Sequence, residues 1–215
     1  MLKLGDFTKV SQLLHQSILP ETVFELLGDN LKSWVSRLIK SDLKVNTFDK
    51  LPQRVQEQIT GQVHVGKDVQ IGPGAYIEGP VYLADGAVIK HTAYVRGPCY
   101  IGPGSVVGHA SEVKGSVLFD GAKAAHFAYV GDSILGQKVN LGAGTKIANL
   151  KLNRSEVSYK DPASSMRVAT GLHKFGGVLG DFVQTGCNSV LSPGSLMYPE
   201  TTIFPCSHFH GTLQK

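Results

Sequence analysis

Residues 65–101 read VGKDVQIGPGAYIEGPVYLADGAVIKHTAYVRGPCYI. From Val65 every sixth residue is a large aliphatic: Ile71, Ile77, Leu83, Ile89, Val95 and Ile101, and the slot continues through Val107, Val113 and Phe119. Four places after each slot the residue is small as a rule, as at Ala75, Ala87, Ala93, Cys99 and Ser105. Gly72-Pro73-Gly74, Asp85-Gly86 and Gly102-Pro103-Gly104 supply turn chemistry between slots. A period of six belongs neither to an amphipathic helix nor to an alternating strand. It is the signature of a parallel β-helix, in which three short-stranded faces close a coil of about eighteen residues around inward-pointing aliphatics.

Working outward, the beat lapses after Phe119 and returns at Leu135, Leu141 and Ile147, then at Leu179, Thr185, Leu191, Met197 and Ile203. It returns two places out of step, and the gap holds KAAHFAYVGD at residues 123–132. Phe119 to Leu135 is sixteen residues where about eighteen would keep register. The coil is therefore read as shortened or bent, with His126 displaced from the place that follows the slot, and Tyr129 with it. Rule-breaking inside a regular architecture marks a candidate site.

Upstream of Val63 the texture is helical. From about Thr8 to Lys44, apolar residues recur at threes and fours. Val10, Leu13 and Leu14 form one set and Val23, Phe24, Leu27, Leu31, Trp34, Val35 and Leu38 another, with Pro20-Glu21 opening the second. The expected organisation is an N-terminal helical segment over 1–60, capping or flanking the coil stack, and a β-helix over 61–215 with a polar loop excursion at 150–173. Open strand edges at the ends of such a stack call for a cap.

Composition narrows the functional classes. The chain has 215 residues, 42% hydrophobic, with a formal charge of +4 and no run of five basic residues, so neither nucleic acid nor a membrane surface is favoured. Cys99, Cys187 and Cys206 are an odd, widely spaced set without CxxC, which fits a reducing cytoplasm. No signal-like opening and no long apolar run is present, so a soluble cytoplasmic protein is expected. The 25 glycines are explained by the corners of a β-helix.

Coil arithmetic adds a spatial expectation. Residues one coil apart stack at roughly 4.8 Å. The residue after the slot is mostly Gly or Ala, but Lys90, Arg96 and Lys114 are cationic, and Arg96 and Lys114 are one coil apart. Two stacked cations repel unless an anion intervenes. Glu78, one coil below Arg96, is a candidate partner in a plain rim ion pair; the functional alternative is a phosphate or oxyanion pocket.

The run from Lys123 to Asn149, KAAHFAYVGDSILGQKVNLGAGTKIAN, resembles the acetyltransferase domain of the bifunctional N-acetylglucosamine-1-phosphate uridyltransferase/glucosamine-1-phosphate acetyltransferase family, in the hexapeptide-repeat acyltransferase superfamily. The motifs are H-x-x-Y-x-G-D and N-x-G-A-G-T-x-x-x-N. Thr170 to Val190, TGLHKFGGVLGDFVQTGCNSV, is similar to archaeal-type relatives that join a sugar-1-phosphate nucleotidylyltransferase to an amino-sugar acetyltransferase. The resemblance spans Val63 to Phe204 and implies a left-handed parallel β-helix, although parallel crossovers are right-handed as a rule. It implies homotrimers with sites at the seams, and acetyl-CoA as co-substrate with no metal.

Position by position, the resemblance makes His126 the general base for the sugar amine, with Glu112 a supporting carboxylate. It places Arg96, Lys114, Tyr129 and Lys174 on the sugar phosphate and Asn140 on the sugar. Ala143, Asn149, Leu150 and Cys187 fall to the coenzyme. The implied function is N-acetylation of an amino-sugar 1-phosphate, glucosamine-1-phosphate foremost, in UDP-N-acetylglucosamine-type precursor synthesis. The alternatives are an acyltransferase on another amino or nucleotide sugar, or a non-catalytic trimeric scaffold.

Departures from the family pattern are specific. Cys187 stands where the bacterial enzymes place a serine, the excursion is longer, and the expected chain stops before the family's basic C-terminal coenzyme contact. No Gly-rich nucleotide-binding opening precedes the repeats, so uridylyl transfer is expected from a separate nucleotidylyltransferase. His91 and His109 are one coil apart and should stack, without the third histidine that a β-helical zinc site requires. The tail Cys206-Ser-His-Phe-His reads as a flexible polar end.

Overall fold

A computed structural model describes residues 2–9, 21–41 and 45–215. The six-residue beat becomes three stacked parallel sheets of eight, eight and seven short strands. The first face runs from Ile59–Thr60 through Tyr76–Glu78, Tyr94–Arg96, Glu112–Lys114, Tyr129–Gly131, Lys146–Ile147 and Val190–Leu191 to His208–Phe209. The second begins at Val63–Val65 and ends at Thr212–Leu213, and the third begins at Gln70–Ile71 and ends at Thr202–Ile203. This is the parallel β-helix that the hexads predict. The slot residues Ile77, Leu83, Val95, Ile101, Val107 and Val113 are fully buried along its axis. Each such side chain contributes roughly 1.5–3 kcal/mol by leaving water.

The interrupted beat has a different anatomy from the one expected. Val95 pairs with Val113, eighteen residues on, but Val113 pairs with Val130, seventeen on. Leu118 pairs with Leu135 and Ala124 with Leu141 at the same shorter step. Leu118, Ala124 and Val130 therefore carry the slot through the gap, all buried in the axial core. Phe119 is not in the coil interior; it packs outside the second face. Nor does His126 follow the slot directly: it lies two places after Ala124 and keeps register with His109 below it.

The lost residues come from one corner, between the first and second faces. Two lower coils turn there through Gly79-Pro80 and Gly97-Pro98, whereas the next two turn through Gly115-Ser116 and Asp132-Ser133 with one residue fewer. The serines make the shorter turn possible. Ser116 Oγ donates to Lys114 O at 2.7 Å and accepts from Ser133 N at 3.0 Å, while Ser133 Oγ donates to Gly131 O and accepts from Gly177 N. Both serines are fully buried, so these hydrogen bonds satisfy polar groups that would otherwise be costly inside.

A second core forms outside the second face. Tyr82, Tyr100, Phe119, Ile134 and Val178 point outward there and are covered by Val23, Leu26, Leu31, Trp34 and Leu38. Trp34 meets Tyr100 with ring centroids 5.2 Å apart. The helix bearing Trp34 is Gly28–Lys40. It starts later than the proline signal predicts, after a 3-10 turn at Val23–Leu26, and its first residue, Gly28, takes a positive φ of 56°. The first expected helix, around Val10, Leu13 and Leu14, lies outside the described residues.

The excursion is anchored at its root. Val157 and Tyr159 are buried in the second core, with Tyr159 5.9 Å from Phe24, and Ser158–Lys160 pairs antiparallel with Arg167–Ala169. The tail is not the loose end expected of it. His208–Phe209 and Thr212–Leu213 complete the last coil, and His208 Nε2 lies 2.8 Å from Ser192 Oγ.

Candidate active site

The outer surface of the first face carries two columns of side chains. Tyr76, Tyr94, Glu112, Tyr129 and Lys146 occupy one; Glu78, Arg96, Lys114 and Gly131 occupy the other. Arg96 and Lys114 are thus stacked as coil arithmetic requires. Their partners differ from the expected Glu78. Arg96 donates to Glu112 Oε1 at 2.8 Å, its guanidinium 5.4 Å from the Tyr94 ring centre, and Lys114 donates to both oxygens of Asp132 at 3.1 and 2.9 Å. Two cations facing two carboxylates leave this patch locally neutral.

Asp132 is the hub, and the sequence motif Y-V-G-D contained it without a role being assigned. It is buried, takes a positive φ of 44° at the shortened corner, and also accepts a hydrogen bond from Asn149 Nδ2. The Tyr129 hydroxyl donates to Asn149 Oδ1 at 3.5 Å. Burial first, then the Glu112 and Asp132 charges, push the Tyr129 phenol up, so it is a neutral donor. The Glu112 bond, ahead of other causes, pushes the Arg96 pKa up and keeps it cationic. The signal that finds Asp132 is the corner itself: a bare carboxylate in a left-handed turn, one coil above a lysine.

His126 ends the third-face strand Lys123–His126, at the corner where that face meets the first. It is exposed, and it sits in a vertical file along the corner between the third and first faces. Backbone hydrogen bonds trace that file: Phe127 N donates to His109 O, Gly144 N to His126 O, Asn188 N to Ala143 O and Cys206 N to Cys187 O. Three residues singled out separately in the sequence, His126, Ala143 and Cys187, are therefore stacked coil upon coil. His91 and His109 continue the file downward with rings stacked 4.3 Å apart. Among the described residues no group of histidine, cysteine and carboxylate side chains converges for a metal.

His126 is five residues before Gly131, the neighbour of Lys114 in register, so the two are at most roughly 18 Å apart. The Arg96 guanidinium leans into that interval over Tyr94. Lys174 is exposed at the excursion's return, next to Phe175, whose N–H donates to Asn149 O at 2.9 Å. Leu150 is exposed at its departure. Asn140 stands on the third face, paired with Lys123 and Gln184, away from the Asp132 cluster.

The family described as the GMPPB C-terminal domain matches residues 77–203, which include Arg96, Glu112, Lys114, His126, Asp132 and Asn149. The chain belongs to that family. Relatives of this GMPPB C-terminal domain chain include a bifunctional sugar-1-phosphate nucleotidylyltransferase/acetyltransferase of Sulfurisphaera tokodaii, 40% identical over 90 residues, which are 42% of this chain and 22% of that protein. The chain thus spans about a fifth of that relative's length. Another is the putative uncharacterized acetyltransferase YaiX of Escherichia coli K12, 30% identical over 175 residues, 80% of this chain and 75% of that one. A solved hexapeptide transferase family protein from Anaplasma phagocytophilum is 19% identical, covering 70% of this chain and 74% of its own, with a TM-score of 0.37. Among the described residues, no helix of this family member is long and apolar enough to cross a membrane.

Proposed function

We propose that this chain is an acetyl-CoA-dependent N-acetyltransferase acting on an amino-sugar 1-phosphate, glucosamine-1-phosphate first, in UDP-N-acetylglucosamine-type precursor synthesis. The observation that carries the reading is the first face itself: an Arg96–Glu112 and Lys114–Asp132 cluster at one edge, and the file of His126, Ala143 and Cys187 at the corner shared with the third face. Relatives named as acetyltransferases match 42% and 80% of the chain.

The chemistry follows from the side chains. Arg96, two-fifths exposed, can turn its guanidinium fork from Glu112 to a phosphate, with Lys174 approaching from the excursion. Fixing the phosphate orients the amine before reaction. The amine nitrogen attacks the thioester carbonyl carbon while His126 takes the proton it sheds. The tetrahedral oxyanion, held by a backbone N–H or an Asn side chain, collapses, and the C–S bond breaks. The coenzyme leaves as a thiol once protonated. An imidazole titrates near neutrality, and such a base is worth about 10²–10⁴ in rate. Asn149, Leu150, Ala143 and Cys187 are assigned to the coenzyme, and Asn140 to the sugar, in a homotrimer that brings faces together at a seam. We place the protein in the cytoplasm.

A second reading has its own support. Because both cations are already paired with carboxylates, the patch is also what a non-catalytic trimeric scaffold would present. Thiol release from acetyl-CoA with glucosamine-1-phosphate, and with other amino and nucleotide sugars in parallel, separates them. Turnover on the sugar phosphate supports the transferase; turnover on another sugar alone moves the substrate assignment; no thiol release and no coenzyme binding leaves the scaffold.

A further inference from the structure

Directly above Asp132 the chain leaves the first face for the excursion, and between the excursion and the last coils lies an open groove of about 1050 Å³. Lys151, Lys160 and Arg167 line it, and no Asp or Glu does. The excursion's own two acids are turned to other tasks. The Glu156 carboxylate accepts from Gly171 N at 2.5 Å, and Asp161 accepts from the Ser164 N–H and hydroxyl at 3.0 and 2.6 Å. Those Ser164 bonds hold the Asp161 carboxyl below the usual carboxylate range.

The groove's cations meet only neutral oxygens. Lys151 Nζ donates to the Glu156 carbonyl at 2.6 Å and Arg167 to the Ser158 hydroxyl at 3.4 Å. No ion pair among the described residues involves Lys151, Lys160 or Arg167. This contrasts with Arg96 and Lys114 below, each neutralised by a carboxylate. Beside the charges stands apolar surface left in water: Leu150 is 38% exposed, Leu152 wholly so, with Pro193 opposite on the coil. The wall is also held in place. Tyr159 is buried, and the Thr212 hydroxyl of the last coil donates to the Lys160 carbonyl at 2.5 Å.

Uncompensated positive charge next to a small apolar shelf, on a fixed wall, suits a ligand with phosphates at one end and a flat ring at the other. We infer that this groove binds a nucleotide, its phosphates on Lys151, Lys160 and Arg167 and its base against Leu150 and Leu152. Two sources share that chemistry: the nucleotide end of the coenzyme, in which case the inference rests on the transferase reading, or a free nucleotide.

The test is calorimetric titration of the full chain with ADP and with adenosine 3′,5′-bisphosphate, alongside acetyl-transfer kinetics. Saturable binding is expected, weakened about tenfold or more in the Lys160→Ala/Arg167→Ala double variant at unchanged melting temperature, and within about twofold of wild type in Lys67→Ala, an exposed lysine of the first coils. No binding of either nucleotide at millimolar concentration, or undiminished binding by the double variant, overturns the inference. A tenfold rise in KM for acetyl-CoA with kcat unchanged assigns the coenzyme as the source. An unchanged KM with weakened ADP binding assigns a free nucleotide. If no acetyl transfer occurs at all while ADP binding still depends on Lys160 and Arg167, the groove stands and the transferase reading falls.

Discussion

Lys114 and Asp132 meet across the shortened corner of two successive coils, the lysine donating to both carboxylate oxygens at 3.1 and 2.9 Å. In the shortened register Gly131 pairs with Lys114, and Asp132, one residue on, reaches back to the lysine from the corner. Asp132 takes three hydrogen bonds from Lys114 and Asn149 while itself buried. Replacing it strands both donors.

Asp132→Ala is therefore expected to lower stability by about 2 kcal/mol, with the Lys114 charge still partly screened by solvent. In a chain of this size that is a fall of roughly 4–8 °C in melting temperature, read by calorimetry. Asp132→Asn should cost less, because asparagine tolerates the left-handed φ at this corner and keeps one acceptor. Equal losses in the two variants would mean that the retained acceptor and the backbone tolerance contribute nothing and that the charge carries the whole effect.

For His126, substitution by alanine leaves the axial core untouched, since the side chain is exposed. Thiol release from acetyl-CoA is expected to drop by about 10²–10⁴ while the affinity for the sugar phosphate stays within a factor of two. Melting temperature is the control and should not move. A rate indistinguishable from wild type would take the base assignment away from this residue.

Much of this is legible in the sequence. The β-helix is, because inward slots such as Ile77 and Val95 repeat at a fixed interval that only a stacked coil explains. The stacking of Arg96 on Lys114 follows from the same interval. What misleads is equating a large apolar residue with an inward one. Phe119 is as hydrophobic as any slot residue but faces the second core, while small Ala124 fills the axis. Periodicity reports burial, and a face covered by a second layer is buried on both sides. A search along one column only misses the partners of the cations: Glu112 lies diagonally from Arg96 at the regular eighteen-residue step, and Asp132 stands at the corner above Lys114. Asn140 falls on a different face from the Asp132 cluster because a motif that is contiguous in sequence wraps around a prism.

Alkaline conditions probe the axial core through Cys99. Burial pushes its thiol up from an ordinary 9.0 to about 12, and its Sγ donates to Arg96 O at 3.1 Å. The sign follows from the raised value. The neutral thiol's contribution is fully present below about pH 9, where the unfolded thiol is also protonated, and is lost as pH rises through about 12. Burial likewise pushes Tyr82 up to about 12, over the same range. Urea midpoints should fall progressively above pH 9, less steeply in Cys99→Ala. In the native state at neutral pH, a thiol reagent should label exposed Cys187 and Cys206 and spare Cys99 until denaturant is added.

Gly108 tests whether His126 depends on its support from below. A Cβ built there would lie 1.6 Å from the carbonyl oxygen of Ala125, the residue before His126 on the next coil. That neighbour is backbone within a strand, paired through His109 to His126, so it cannot rotate away as a side chain would. Gly108→Ala must push the two coils apart at the level where His109 and His126 are paired. The expected cost is about 3 kcal/mol, at the upper end for overpacking. The folded fraction should also lose acetyl transfer out of proportion to its loss of sugar-phosphate affinity, because Arg96 and Lys114 sit on the first face, away from that corner. Full activity per folded molecule in Gly108→Ala would mean that the imidazole's position does not depend on this strand contact.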